Sequence, residues 1–211
     1  MSLPVAAARV PAGLVLAALA VFIALALFTQ FARPDLDWVQ ATLSLYLHGP
    51  WGLALRSAYC LLAAAIVVLG VAMYRVSTGP RRSAAAPLLF GMAAVGLAGV
   101  AVCESWLPEA APLLAPLVHA VAANMAFLCV SVALLLQTWY LRREPGWHRS
   151  ATALWAGAWL GFILLWAHVL WRAPPRGLGQ KLVIAVIVAC LLGLALGLRQ
   201  RATAAATPHA A

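Results

Sequence analysis

Six apolar runs, each long enough to cross a bilayer, constrain this chain more than any other feature. They cover residues 11–31, 51–74, 84–106, 113–140, 150–171 and 182–198. A spanning helix takes about 20 mainly apolar residues, because each residue adds about 1.5 Å. In hydrocarbon every backbone amide and carbonyl must bond within its own segment, so each run is expected to be a helix. A soluble core has no room for this surface. Of the 211 residues 65% are hydrophobic and 9% charged, against about 25% charged in an ordinary soluble domain. The expected fold is an all-α integral membrane protein. One six-helix transmembrane domain occupies residues 1–198, and a disordered cytoplasmic tail follows at 199–211. The first run is longer than the apolar stretch of a secretion signal, so it is expected to stay as a helix.

The net charge of +9 comes from 14 basic against 5 acidic residues. On a soluble chain this balance would suggest nucleic acid. Here the basic residues fall mainly between the apolar runs, where they act as topology determinants and contacts to lipid headgroups, so no nucleic acid is expected. With the N-terminus inside, the cytoplasmic pieces hold nine: Arg9, Arg75, Arg81, Arg82, Arg142, Arg143, Arg149, Arg199 and Arg201. The other side holds five: Arg33, Arg56, Arg172, Arg176 and Lys181. Both termini are therefore expected in the cytoplasm. Trp38, Trp51, Trp106 and Trp171 fall at outer ends of the runs, and Trp139 and Trp147 at inner ends, as an interfacial aromatic belt requires.

Helix packing has its own signal. Gly157 and Gly161 form a GxxxG on the fifth run, and Gly193 and Gly197 form another on the sixth. Small residues at this spacing let helices approach closely, either within the bundle or across a homo-oligomer face. The four cysteines, Cys60, Cys103, Cys129 and Cys190, all lie inside apolar runs without CxxC spacing and read as free buried thiols. No repeat of the kind that marks many transporters is legible. Nucleotide-binding and serine-hydrolase motifs are absent as well.

The polar residues are one-sided. Asp35, Asp37, Glu104, Glu109, His48, His119 and His168 all fall on the expected outer side. Arg56 enters the second run, Glu104 lies about one turn inside the third, His119 about two turns inside the fourth, and His168 about one turn from the end of the fifth. An ionisable group at the centre of a span costs about 2.5–3.5 kcal/mol and normally faces the bundle interior. Arg56, Glu104 and His119 are thus candidates for a functional site. The blander alternative is an Arg56–Glu104 salt bridge that fixes two helices, with His119 and Asn124 bonded to a neighbour. Two cofactor readings follow from the same residues. His48, His119 and His168 carry the atoms for a catalytic zinc site, which takes three protein ligands. His119 and His168, on consecutive antiparallel helices, could grip a haem, with Trp155, Trp159 and Trp166 beside it.

The order of these features resembles a bacterial membrane family catalogued as domain of unknown function 998. Three stretches carry the likeness, which spans roughly residues 30–198. The first is Thr42-Leu43-Ser44 followed by Gly49-Pro50-Trp51-Gly52. The second is the Pro108 loop followed by His119. The third is Gly177-Leu178-Gly179-Gln180-Lys181, which is expected to turn the chain into the sixth helix. One departure is Glu109 where similar proteins often have an Asp soon after the proline. The resemblance implies about six helices and a bacterial cytoplasmic membrane location, and it carries no established activity.

The leading expectation is a non-enzymatic protein with an outward-facing polar pocket for a lipid headgroup or small molecule. Arg56, Arg172 and Arg176 would face anionic groups, with Glu104, His119 and His168 also at the site. One alternative is a metal-dependent intramembrane hydrolase acting on lipid. Another is a haem-binding or small transport protein.

Overall fold

The computed structural model describes residues 5–77, 83–144 and 147–206, apart from the side chains of Val5, Ala6, Glu104, His148 and Arg149. The six runs form six long helices. They are α1 (Arg9–Phe31), α2 (Gly52–Val76), α3 (Ala85–Ala110), α4 (Ala115–Leu141), α5 (His148–Leu170) and α6 (Arg176–Ala206). Short 3₁₀ segments at Val5–Ala8 and Leu43–Leu47 complete the regular structure of the described residues. Each helix contains a stretch long and apolar enough to span a membrane.

Each helix packs against the next in sequence, and α6 returns to α1. Lesser contacts of α6 with α2 and α4 cross the middle. Burial ranks the helices: 56% of the apolar window of α2 is buried within the chain, but only 17% of that of α5. α2 is thus the most buried of the six and α5 the least. The closest approach joins α3 to α4. At Gly96 a Cβ would stand 2.6 Å from the Ala122 carbonyl oxygen and 2.7 Å from the Ala126 nitrogen, so only glycine fits.

The two GxxxG pairs face each other. Gly157 and Gly161 lie against Cys190 and Val186 of α6, while Gly193 and Gly197 lie against Leu154 and Trp147. A second copy would have to use the same surface that α5 and α6 bury against each other. Trp147 differs from the belt residue expected at its position. It is 3% exposed, packed on Gly197, with the Arg201 guanidinium 4.6 Å above its ring.

Three helix ends also differ from the expected boundaries. α3 continues through Pro108 to Ala110. α6 begins six residues earlier than residue 182, at Arg176, and runs on to Ala206 through most of the expected tail. Pro174 and Pro175 precede its first residue, where a missing amide costs least. The Leu178 amide then donates to the Val39 carbonyl at 2.8 Å, which ties the opening turn to the 32–51 loop. At the far end Ala202 is fully buried and α6 rests on the Val5–Ala8 segment. Alanine and arginine are strong helix formers, so this packing suffices to extend the helix.

Candidate functional site

The loop between α1 and α2, residues 32–51, folds over one end of the bundle and is fastened to α6. The Leu43 amide donates to Gln180 Oε1 at 2.8 Å, and Lys181 Nζ donates to the Trp38 carbonyl at 2.5 Å. Gly177 lies directly on the backbone of Gln40 and Ala41, too close for any side chain. Within the loop Arg33 forms a paired contact to Asp35, at 2.8 Å from Nε and 2.6 Å from Nη2, and also donates to the His48 carbonyl at 2.6 Å. This guanidinium holds the Asp35 carboxyl below the usual carboxylate range, chiefly by hydrogen bonding. Gly49 turns the chain there with φ of +80°, a conformation that favours glycine. Leu43, Tyr46 and Leu47 point down and are buried, so the loop is a packed cap.

Beside the cap lie two adjoining cavities, a vestibule of about 350 Å³ and a slot of about 80 Å³. Ser44 and His119 line both. His48 joins them in the vestibule, which Pro108 and Pro116 also line. Gln180 lines the slot beside them, and below these polar groups the walls are apolar. Phe22 from α1, Tyr59 from α2, Leu97 from α3, Phe127 from α4 and Ile184 from α6 represent the five contributing helices. α5 supplies none of the described lining. From His119 to Val130 on α4, both of which line the slot, the helix rises about 16 Å at 1.5 Å per residue. That is about half of a hydrocarbon core of ~30 Å.

The three stretches that carry the family likeness meet at this mouth. Ser44 comes from the first, His119 from the second and Gln180 from the third. Sequence reasoning singled out His119 alone among them as a site residue. It passed over Ser44 and Gln180 as chemistry, although both lie inside the stretches that define the resemblance. The aromatic walls, Phe22, Tyr59 and Phe127, carry no signal that separates them from core residues.

The expected outer cluster divides in two. His48 and His119 share the vestibule. His168 and Arg176, with Trp171, line a separate groove of about 220 Å³ between α5 and α6. Gly179 makes the room there, because a Cβ would stand 2.8 Å from His168 Nδ1. Gly179 faces His168 and Gln180 faces the slot, so α6 turns consecutive residues to the two sites. Arg172 is exposed at the α5–α6 connection, and Arg56, partly buried in α2, lines neither the slot nor the vestibule. Glu104 lies on α3, and its side chain is outside the described set. The imidazoles of the expected zinc triad and of the expected haem pair thus fall on different cavities. Among the described residues no three His, Cys, Asp or Glu side chains gather as a metal ion would require.

Six membrane-spanning helices, five of which line a capped apolar slot, define a multi-pass helical membrane protein. Its sequence matches the model of the family described as "Protein of unknown function (DUF998)" over residues 15–197, and the chain belongs to that family. Neither a curated protein nor a solved structure matches it.

Proposed function

We propose that this protein binds a single-chain amphiphile, with the tail in the slot and the polar head in the vestibule. The observation that carries the reading is the contrast between two adjoining cavities. A wider one, lined by a hydroxyl and two imidazoles, shares Ser44 and His119 with a slot that adds the Gln180 carboxamide and is otherwise walled mainly by apolar side chains. The slot's length along α4, about half the bilayer core, suits a tail from one leaflet. The excess of arginines at the opposite end supports placing the mouth on the non-cytoplasmic side of a bacterial cytoplasmic membrane. The head would be read by hydrogen bonds, since His48 and His119 are the only ionisable side chains among the vestibule and upper slot residues.

Mass spectrometry of solvent extracts from purified protein tests this. Wild type should release a defined amphiphile near one per chain. Ala123→Phe, which fills the slot, should release at most about a tenth as much, whereas Val121→Phe, on the exposed face of the same helix, should release the wild-type amount. Equal content in both variants would defeat the reading.

A second reading is hydrolysis of the same amphiphile, favoured by the hydroxyl of Ser44 sharing a vestibule with His48 and His119. It requires turnover of an ester or amide amphiphile that His119→Ala abolishes. Stoichiometric zinc in the purified protein would give it a metal-activated water as nucleophile.

A further inference from the structure

The lipid-facing side of α4 and α5 has an organisation that the slot does not explain. Trp139 on α4 and Trp155 on α5 stand 5.9 Å apart, toward the end of the bundle where α1 begins and α6 ends. Arg142 stacks 4.4 Å above Trp155 and 5.6 Å from Trp139, and Arg143 lies 4.8 Å above Trp139. Stacking holds a guanidinium by its face and leaves its edge, where the N–H donors lie, free to bind. Arg142 Nε is buried and bonded to no acceptor. The Arg33–Asp35 ion pair lies at the other end of the bundle. Glu144, the carboxylate nearest in sequence, acts electrostatically on Arg201.

From this cationic platform an aromatic track runs up α5. Trp155, Trp159, Phe162 and Trp166 succeed one another at ring spacings of 6.2, 5.8 and 6.2 Å. Trp159 and Trp166 are each 41% exposed. The track covers twelve residues of helix, a rise of about 16 Å, or half the hydrocarbon core.

We propose that this face binds a phospholipid with an anionic headgroup, its phosphate on Arg142 and Arg143 and one acyl chain along the track. Two guanidinium groups without a carboxylate partner call for an anion, and bidentate arginine–phosphate contacts supply the geometry. The apolar aromatic continuation of one-leaflet length specifies that the anion belongs to a lipid rather than to free phosphate.

The test uses the full chain in vesicles of phosphatidylcholine doped with equal fractions of brominated-chain phosphatidylglycerol or brominated-chain phosphatidylcholine, read by tryptophan quenching. In wild type the brominated phosphatidylglycerol should quench more strongly, with a preference of about fivefold in relative affinity for each arginine. R142Q/R143Q should lose that preference and R142K/R143K should keep most of it. R199Q, which removes a basic residue from the same end, should leave it unchanged. Should R142Q/R143Q fail to fold, R143Q alone carries the same expectation at about fivefold. Equal quenching by the two lipids in wild type overturns the proposal, as does an equal loss in R199Q, which would reduce the effect to bulk charge.

Discussion

Single residues decide how closely the helices approach, and two glycines of α3 separate the possible reasons for a glycine in a span. At Gly96 a Cβ would collide with the backbone of α4, while at Gly91 it would meet nothing within 4 Å. Gly96→Ala should therefore destabilise the protein by about 2 kcal/mol or more, in the range of overpacked cores. Gly91→Ala should be neutral or stabilising by up to about 1 kcal/mol through helix propensity. Thermal unfolding in detergent distinguishes them, and equal shifts would show that α3 and α4 are not in the described contact. Nothing in the sequence separates these positions, because both are glycines in an apolar run. The same limit applies to the polar residues. The depths of His119 and His168 follow from residue counting, but the side of the helix each occupies does not. A helix with lipid on one face and core on the other is apolar all round, so it lacks the polar stripe from which orientation is read. His119 turned toward the slot, and His168 toward α6.

Among the elements, the six spans were legible in the sequence, since a 20-residue apolar run in lipid has one backbone solution. Their ends were less so. α6 gains its early start from bonds to a loop more than 130 residues away in sequence, the Leu178–Val39 and Leu43–Gln180 contacts. Such pairings leave no local pattern. The cap itself was the least legible element, because its burial depends on the bundle it closes. Its tie between Arg33 and Asp35 makes it sensitive to acid. The Asp35 carboxyl is held below its ordinary range in the folded cap, so its contribution is present above the ordinary aspartate value of about 3.9. It is lost as the pH falls through the lowered folded value. Protection of the His48 and Gly52 amides, taken relative to intrinsic exchange, should consequently fall below about pH 4 in wild type. Asp35→Asn should exchange faster already at pH 7 and lose most of that pH dependence. Unchanged protection in Asp35→Asn would remove this contact from the account of the cap.

At the scale of the whole molecule, five helices and a loop enclose one axis of graded polarity, while α5 stands outside it with a separate, lipid-facing chemistry. The slot belongs to the arrangement rather than to any one helix, which is why sequence reading could not tell that His119 and His168 line different cavities. The likeness to the family did better than the charge pattern, because its three stretches supply Ser44, His119 and Gln180 together. The central claim is that an amphiphile's tail occupies that axis. Its most direct test is photo-crosslinking with a single-chain amphiphile carrying a diazirine near the tail end, followed by peptide mapping. Labels on Ile66, Val130 and Leu191, the slot residues farthest along their helices from the cap, are the predicted result. Labels confined to outward-facing positions such as Val95, Val121 and Leu160 would contradict it.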